Sequence, residues 1–302
     1  MTGKVAAQSL PKASNITHQH LLAVLNTQLL GRQPESGPVT ICDIGCGDGR
    51  FLAYLAQCLP VLRPDLQFEF LGLDVDDSVV QAEGFFQRTL ENLGSVAPGI
   101  NWAEKLLLIS STAAWPFADK SIDFAISSQI LEHVRDHDAF CSKLSRVLKP
   151  EGVSFHLFPL KHYFWEGHLR MPLVHRFQSF ELLRWWIALM SRLHIGIYKE
   201  HRRDYGVSIA QFSESHADYM VRMTNYLSKS ELLRLCKRQG FRSGFKFTKN
   251  FYFARLRGLF GPAPRYLYSD APSAFGDAFW LWLCKRISSI TLFLETRNTY
   301  RR

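Results

Sequence analysis

Residues 39–56, VTICDIGCGDGRFLAYLA, constrain this chain more than any other stretch. A short run of apolar, β-branched residues, a turn punctuated by three glycines and an amphipathic helix follow one another without a break. Gly45, Gly47 and Gly49 lack a Cβ, so the turn can take left-handed backbone angles and a ligand can lie against it, facing the amides that open the helix. Asp43 adds a carboxylate at the end of the strand. A dinucleotide fingerprint, G-x-G-x-x-G, would need glycine where Arg50 stands; the third glycine comes one residue early, at Gly49. That spacing argues against a nicotinamide or flavin cofactor.

The pattern then repeats. Near-continuous apolar runs at 39–44, 68–74, 105–109, 122–127 and 153–158 predict strands. Helical periodicity appears at 19–30, 49–57, 77–93 and 137–148, with a short turn at His133. Apolar strands alternating with helices imply a parallel sheet covered on both faces. Ligands of such sheets bind beyond the carboxyl ends of the strands, where Gly45, Asp74 and Ser127 fall.

Four segments, taken in order, resemble the class I S-adenosylmethionine-dependent methyltransferases of the type 11 kind. They are the D-x-G-x-G-x-G turn from Asp43, the strand FEFLGLD ending at Asp74, the segment WPFADKSIDFAISSQILEHV at 115–134, and RVLKPEG at 146–152. The resemblance covers about half of the chain. It implies a Rossmann-like α/β fold with a mostly parallel seven-stranded sheet, helices on both faces, a helical insertion and a C-terminal extension. It implies S-adenosylmethionine as cofactor, with Asp74 taking the ribose hydroxyls. The cofactor residues it points to are Asp43, Gly45, Cys46, Gly47, Gly49, Asp74, Val75, Ser111, Thr112, Ser127 and Gln129.

Two departures from the family pattern matter. Where the family often places an acid for the adenine amino group, this chain has Ser111, whose hydroxyl can still accept one hydrogen bond. Metal-dependent relatives carry Glu-x-x-Glu-His after the fourth strand. Here Gln129 replaces the first glutamate, a neutral amide in place of a hard-cation ligand, so no metal is expected.

The family pattern breaks off after Phe158 and resumes at a capped helix, with Ser228 as N-cap, Glu231 three residues on and Gly240 as the stop. The segments are thus expected as a helical lead-in and linker (1–38), a cofactor-binding core (39–160), a substrate-lid insertion (161–225), the last helix and closing antiparallel strands of the core (226–260, the strands over 241–257), and an amphipathic extension (261–302). In the extension, Trp280, Leu283, Ile287, Ile290 and Leu294 recur at helical spacing, which predicts a helix over 277–296. Such a helix could pack on protein or lie at the headgroup level of a membrane.

Methyl transfer to a hydroxyl benefits from a general base, and histidine is the residue type best suited to it. His133, in the LEH segment, and His168, in the insertion, are the catalytic candidates, with His175 as an alternative.

Charge divides the chain. Residues 1–158 carry 12 Lys/Arg against 17 Asp/Glu, while residues 159–302 carry 24 against 10, within a net charge of +9. Trp165, Trp185, Trp186, Trp280 and Trp282 also lie in the basic half. That combination suits an anionic partner: a membrane surface, a phosphorylated lipid carrier or nucleic acid. The (Asp/Asn)-Pro-Pro-(Tyr/Phe) signature of base-methylating enzymes is absent, since residues 127–130 read SSQI. The expected acceptor is therefore a small molecule, glycan or lipid-linked hydroxyl; a nucleic-acid methyltransferase and a non-catalytic, cofactor-binding docking module are the alternatives. Six cysteines without a C-x-x-C pair, and no apolar run at the N-terminus, point to a reduced, cytoplasmic chain, with peripheral membrane contact left open. Oligomeric state is not encoded in any pattern here.

Overall fold

The computed structural model describes residues 10–34, 37–77, 84–258, 261, 264–269 and 276–296. The five apolar runs form parallel strands: β1 (Val39–Ile44), β2 (Phe68–Val75), β3 (Leu106–Ile109), β4 (Ile122–Ser128) and β5 (Leu148–Phe158). Every residue of β1 is buried, because the strand is covered on both faces, and its sequence accordingly shows no alternation. The chain crosses between strands through α2 (Arg50–Leu62), α3 (Phe85–Val96), the single turn α4 (Trp102–Lys105) and α5 (His137–Val147), after an N-terminal helix, α1 (Ile16–Gln28). The helix predicted over 77–93 is thus seen as α3; residues 78–83 lie outside the described residues.

The insertion is a two-stranded hairpin, β6 (Trp165–Glu166) with β7 (Met171–Pro172), followed by α6 (Phe180–Arg192), α7 (Tyr198–Tyr205) and α8 (Ile209–Met223). It builds its own apolar cluster from Leu169, Met171, Leu183, Ile187, Phe212 and Met220. The capped helix follows as α9 (Lys229–Arg238). Ser228 Oγ accepts the Glu231 amide at 3.3 Å, and the Glu231 carboxylate accepts the Ser228 amide at 2.8 Å.

The C-terminal part departs from the sequence expectation in two places. Strand β8 (Phe241–Gly244) is short, and the residues after it, expected as strand, form α10 (Thr248–Gly258). The helix expected over 277–296 stops early, as α11 (Gly276–Cys284), and residues Ile290–Thr296 are strand β9. β9 lies antiparallel between β5 and β8, completing the order β3-β2-β1-β4-β5-β9-β8. Ile290 and Leu294, assigned by spacing to an amphipathic helix face, are buried in the middle of this sheet. A helix lying at the headgroup level over 277–296 does not form, because its C-terminal apolar residues are consumed by sheet pairing.

β9 is also tied to α1. His20 Nδ1 lies 3.1 Å from the Tyr268 hydroxyl and its Nε2 lies 2.9 Å from Thr291 Oγ1, and burial holds this ring neutral, with a pKa of about 3. All six cysteines are free and buried. Among the described residues no helix is long and apolar enough to cross a membrane.

Candidate active site

The glycine turn after β1 adopts the left-handed angles its sequence allows, with φ of +73° at Gly45, +53° at Gly47 and +73° at Gly49. The amides of Gly45 and Cys46 donate to the Leu73 carbonyl at 2.7 and 3.2 Å, which fixes the turn against β2. From α3, Thr89 Oγ1 donates to the Gly47 carbonyl at 3.0 Å. Crowding around the turn is uneven. A Cβ on Gly49 would come within 2.9 Å of Leu93 and 3.0 Å of Thr89, whereas one on Gly47 would meet nothing within 4 Å. The open side of the turn is therefore at Gly47.

Asp74, at the end of β2, borders that side. Its Oδ2 accepts the Gly47 amide at 2.6 Å and its Oδ1 accepts the Val75 amide at 2.8 Å. An ionised carboxylate has about four acceptor positions, which lets one side chain serve backbone amides and a vicinal diol together. Asp43 is buried beside it; burial first, then the charges of Asp74 and Asp48, pushes its pKa up to about 8. Cys46 differs from the expectation attached to it: its side chain packs inward with the core, so only its backbone borders the turn.

Ser111 is held by Asp77, whose Oδ2 accepts the Ser111 hydroxyl at 2.8 Å and whose Oδ1 accepts its amide at 3.0 Å. Burial works against ionisation of Asp77, but the bonds from Ser111 and Ser110 outweigh it and lower its pKa. An acid that sequence spacing did not single out, Asp77, thus stands beside Ser111. Thr112 bonds the Ser110 hydroxyl at 3.2 Å in the same turn. Ser127 is buried and turned into the sheet, its Oγ 2.8 Å from His156 Nδ1. Gln129 sits at φ +56°; its amide donates to Leu157 at 2.7 Å and its Nε2 donates to Ser289 Oγ at 3.3 Å.

The loop after β4 connects this turn to a second cluster. Ile130 packs on Gly45, and Leu131–His133 form a single 3-10 turn. The end of the insertion is stitched to that turn: the Asn225 amide donates to the Glu132 carbonyl at 2.6 Å, and its Nδ2 donates to the Val134 and Arg135 carbonyls. The rings of His133 and His168 meet edge to face at 5.0 Å, so the fold brings the two catalytic candidates together although they come from core and insertion.

Their environments set them apart. His133 Nδ1 lies 2.8 Å from the Met223 carbonyl, which can only accept, so Nδ1 carries the proton and Nε2 keeps its lone pair. Burial lowers the pKa of His133. His168 Nδ1 bonds Glu166 Oε1 at 2.6 Å. Burial opposes the charged ring, but the bond and charge of Glu166 override it and raise the pKa of His168.

Glu166 is fully buried and accepts from four donors: the His168 ring, the amides of His168 and Leu169, and the Tyr226 hydroxyl at 2.9 Å. Burial alone would raise its pKa, yet these bonds and the His168 charge hold it at about 2. Glu132 is the reverse case. It is 1% exposed, neither carboxyl oxygen has a hydrogen-bond partner, and burial pushes its pKa up to about 8. His175 faces elsewhere, its ring 4.8 Å from Tyr226, on a pocket of about 220 Å³ that Lys161 and Asn225 also line. The Tyr219 ring lies 5.7 Å from His168 and 6.5 Å from His133. Glu132, Tyr219 and Tyr226 were not candidates from sequence; a buried acid inside an LEH segment has no periodicity to mark it. Among the described residues no group of three His, Cys, Asp or Glu is placed to hold a metal ion.

Comparison with known proteins agrees with this geometry. Residues 42–155 match the family model of a methyltransferase domain. An uncharacterized methyltransferase of Mycobacteroides abscessus is 27% identical over 150 residues, 49% of this chain and 49% of that protein. The biotin biosynthesis bifunctional protein BioHC of Teredinibacter turnerae is 30% identical over 114 residues, 37% of this chain and 18% of that protein. The chain thus spans half or less of the length of these curated relatives. A solved S-adenosylmethionine-dependent methyltransferase from Mesorhizobium loti aligns over 90% of this chain and 95% of its own, with 16% identity and a TM-score of 0.43. The family match, the glycine turn bordered by Asp74 and the observed strand order place residues 42–155 among the class I S-adenosylmethionine-dependent methyltransferase domains.

Proposed function

We propose that the protein transfers the methyl group of S-adenosylmethionine to a hydroxyl of a small-molecule, glycan or lipid-linked acceptor, held where the insertion meets the carboxyl edge of the sheet. The observation that carries this reading is the His133–His168–Glu166 cluster, built on the loop that also packs against the glycine turn.

The cofactor supplies an electrophilic methyl group on a sulfonium, and the protein's work is alignment and proton handling. The open side of the turn at Gly47 and the carboxylate of Asp74 beside it suit the ribose end of the cofactor. The Ser111–Asp77 pair offers polar groups suited to the adenine. At the acceptor, neutral His133 with its Nε2 lone pair is the group suited to take the hydroxyl proton. His168 differs in kind. Paired with Glu166, whose bond and charge raise its pKa, it holds the hairpin and is less suited than His133 to act as a base.

The test is calorimetric titration with S-adenosylmethionine, S-adenosylhomocysteine and, as control, NADH, followed by transfer of labelled methyl groups to lipid and glycan extracts. Micromolar binding of the two sulfur ligands and His133-dependent labelling of an extractable hydroxyl support the reading. A folded protein that binds neither sulfur ligand would rule it out.

A further inference from the structure

The turn that joins α11 to β9 comes back to the edge of the sheet where the cofactor and acceptor are expected. Ile290, the first residue of β9, pairs with Phe158, the last of β5, and Ser289 is bonded by Gln129 from the loop after β4. The same turn holds the start of the insertion, through the Phe164 amide donating to the Arg286 carbonyl at 2.8 Å. Two stretches distant in sequence thereby form one rim.

Its outward residues are aromatic and cationic. Phe164, Trp165, Phe279, Trp282 and Ile287 are 50%, 40%, 42%, 54% and 43% exposed. Side chains alternate along the short strand β6, so Trp165 faces out while its neighbour Glu166 is buried in the active-site cluster. Phe164 stacks with Trp165 at 6.4 Å, Phe279 with Trp282 at 6.3 Å, and the Arg286 guanidinium covers the Trp282 ring at 5.2 Å. Lys285, Arg286 and Arg176 lie close enough to act on His162, where burial first and then their charges lower its pKa; Glu231 is the one acid acting against them. Lys229 joins the group beside Lys285. Among the described residues Lys285, Arg286, Arg176 and Lys229 make no ion pair.

An exposed aromatic patch of this kind marks an interaction surface. Cations without an ion pair beside these rings favour an anionic partner, and tryptophan next to lysine and arginine matches the headgroup level of a bilayer. The rings pair with one another and Arg286 lies over Trp282, which leaves fewer stacking platforms for single-stranded nucleic acid than separate exposed rings would offer.

We infer that the rim formed by residues 162–165 and 279–287 docks on an anionic lipid surface and so turns the acceptor side of the active site toward the membrane. Docking itself is independent of the methyl-transfer reading; only its consequence for a lipid-linked acceptor rests on that reading.

The experiment is co-sedimentation of the full chain with phosphatidylcholine vesicles, with and without phosphatidylglycerol, over a range of salt. Binding should require phosphatidylglycerol and be released by salt. Lys285→Glu/Arg286→Glu should weaken partitioning about tenfold or more, at the strength of headgroup attraction per basic residue. Trp282→Ser should weaken it several-fold while leaving the salt dependence, as expected for loss of buried apolar area. Circular dichroism and cofactor titration check that each variant is folded. No sedimentation of the folded wild type with anionic vesicles overturns the inference. So does equal partitioning of all three proteins, or displacement of the bound vesicles by an RNA oligonucleotide. The assay needs neither cofactor nor acceptor, so a failed methyl-transfer screen and a failed docking test give separate results.

Discussion

The side chain of Ile130 lies over the α-carbon of Gly45 so closely that a methyl group added there would overlap its Cδ1 and Cγ1 atoms. The cofactor turn and the loop leading to His133 therefore move as one packed unit. Gly45→Ala must displace that loop and also force a left-handed backbone on alanine. It should cost about 2–4 kcal/mol in urea unfolding. Gly47→Ala meets no atom within 4 Å and should lose only the backbone term, about 1 kcal/mol. Equal losses in the two variants would mean that the contact with Ile130 is not made.

A bulky side chain at Gly47 projects into the open side of the turn. Gly47→Arg should retain the fold, as judged by circular dichroism, and weaken binding of S-adenosylhomocysteine by at least about a hundredfold in calorimetry, since each ~1.4 kcal/mol of lost contact is tenfold. Unchanged affinity would move the cofactor away from this turn.

Removing the carboxylate of Glu166 strands the amides of His168 and Leu169 and the Tyr226 hydroxyl, and leaves His168 without its charge partner. Glu166→Ala should cost about 3–5 kcal/mol near neutral pH. A carboxylate whose pKa is depressed stabilises the fold above its unfolded value and loses that effect as pH falls toward its folded value. The gap between wild type and variant should therefore close progressively from 4.5 toward about 2, and should narrow again as pH rises above 6.5 through the raised folded value of His168, whose charge partner the variant lacks. A pH-independent gap in chemical denaturation would show that the ionised form is not what holds the hairpin.

Glu132 carries the opposite sign. Its pKa is raised from 4.5 to about 8, so the folded protein keeps a proton that the unfolded chain gives up, and stability declines as pH rises between those values. Glu132→Gln removes this contribution, although Asp43, raised to about 8 by burial, retains its own. Denaturation midpoints of Glu132→Gln should fall less steeply than those of wild type over that window. Parallel curves would place Glu132 in water.

Neighbouring isoleucines test the C-terminal strand. Ile290 is fully buried in β9 and Ile287 is 43% exposed in the turn before it. Ile290→Ala should cost about 2–4 kcal/mol, and Ile287→Ala about 0.5 kcal/mol or less. A helix through both positions would not separate them in this way.

The first five strands could be located from sequence because each contains a near-continuous apolar run. β9 could not. A strand buried between two others is apolar on both faces, so Ile290, Leu292, Phe293 and Leu294 show no alternation. Joined to Trp280, Leu283 and Ile287, they mimic a helical repeat, and the two buried serines at 288 and 289 that end it resemble polar helix positions. Conversely, residues 241–257 alternate by accident, and most of them fold as α10. At the candidate site, the glycine turn and the place of Asp74 beside it follow from spacing. The pairing of His133 with His168 does not, because it depends on how the insertion docks, and that docking runs through bonds from the Asn225 amide and side chain to backbone carbonyls, which no residue pattern announces.

The position of β9 also bears on the chain as it leaves the ribosome. β5 presents an unpaired edge until β9, which follows both β5 and β8 in the chain, arrives to slot between them, so neither partner can be zipped early. During that interval the nascent protein displays an apolar strand edge open to any other chain. Damage near Ile290–Thr296 should therefore appear in cells first as aggregation and chaperone dependence, before any loss of catalytic quality in the molecules that do mature.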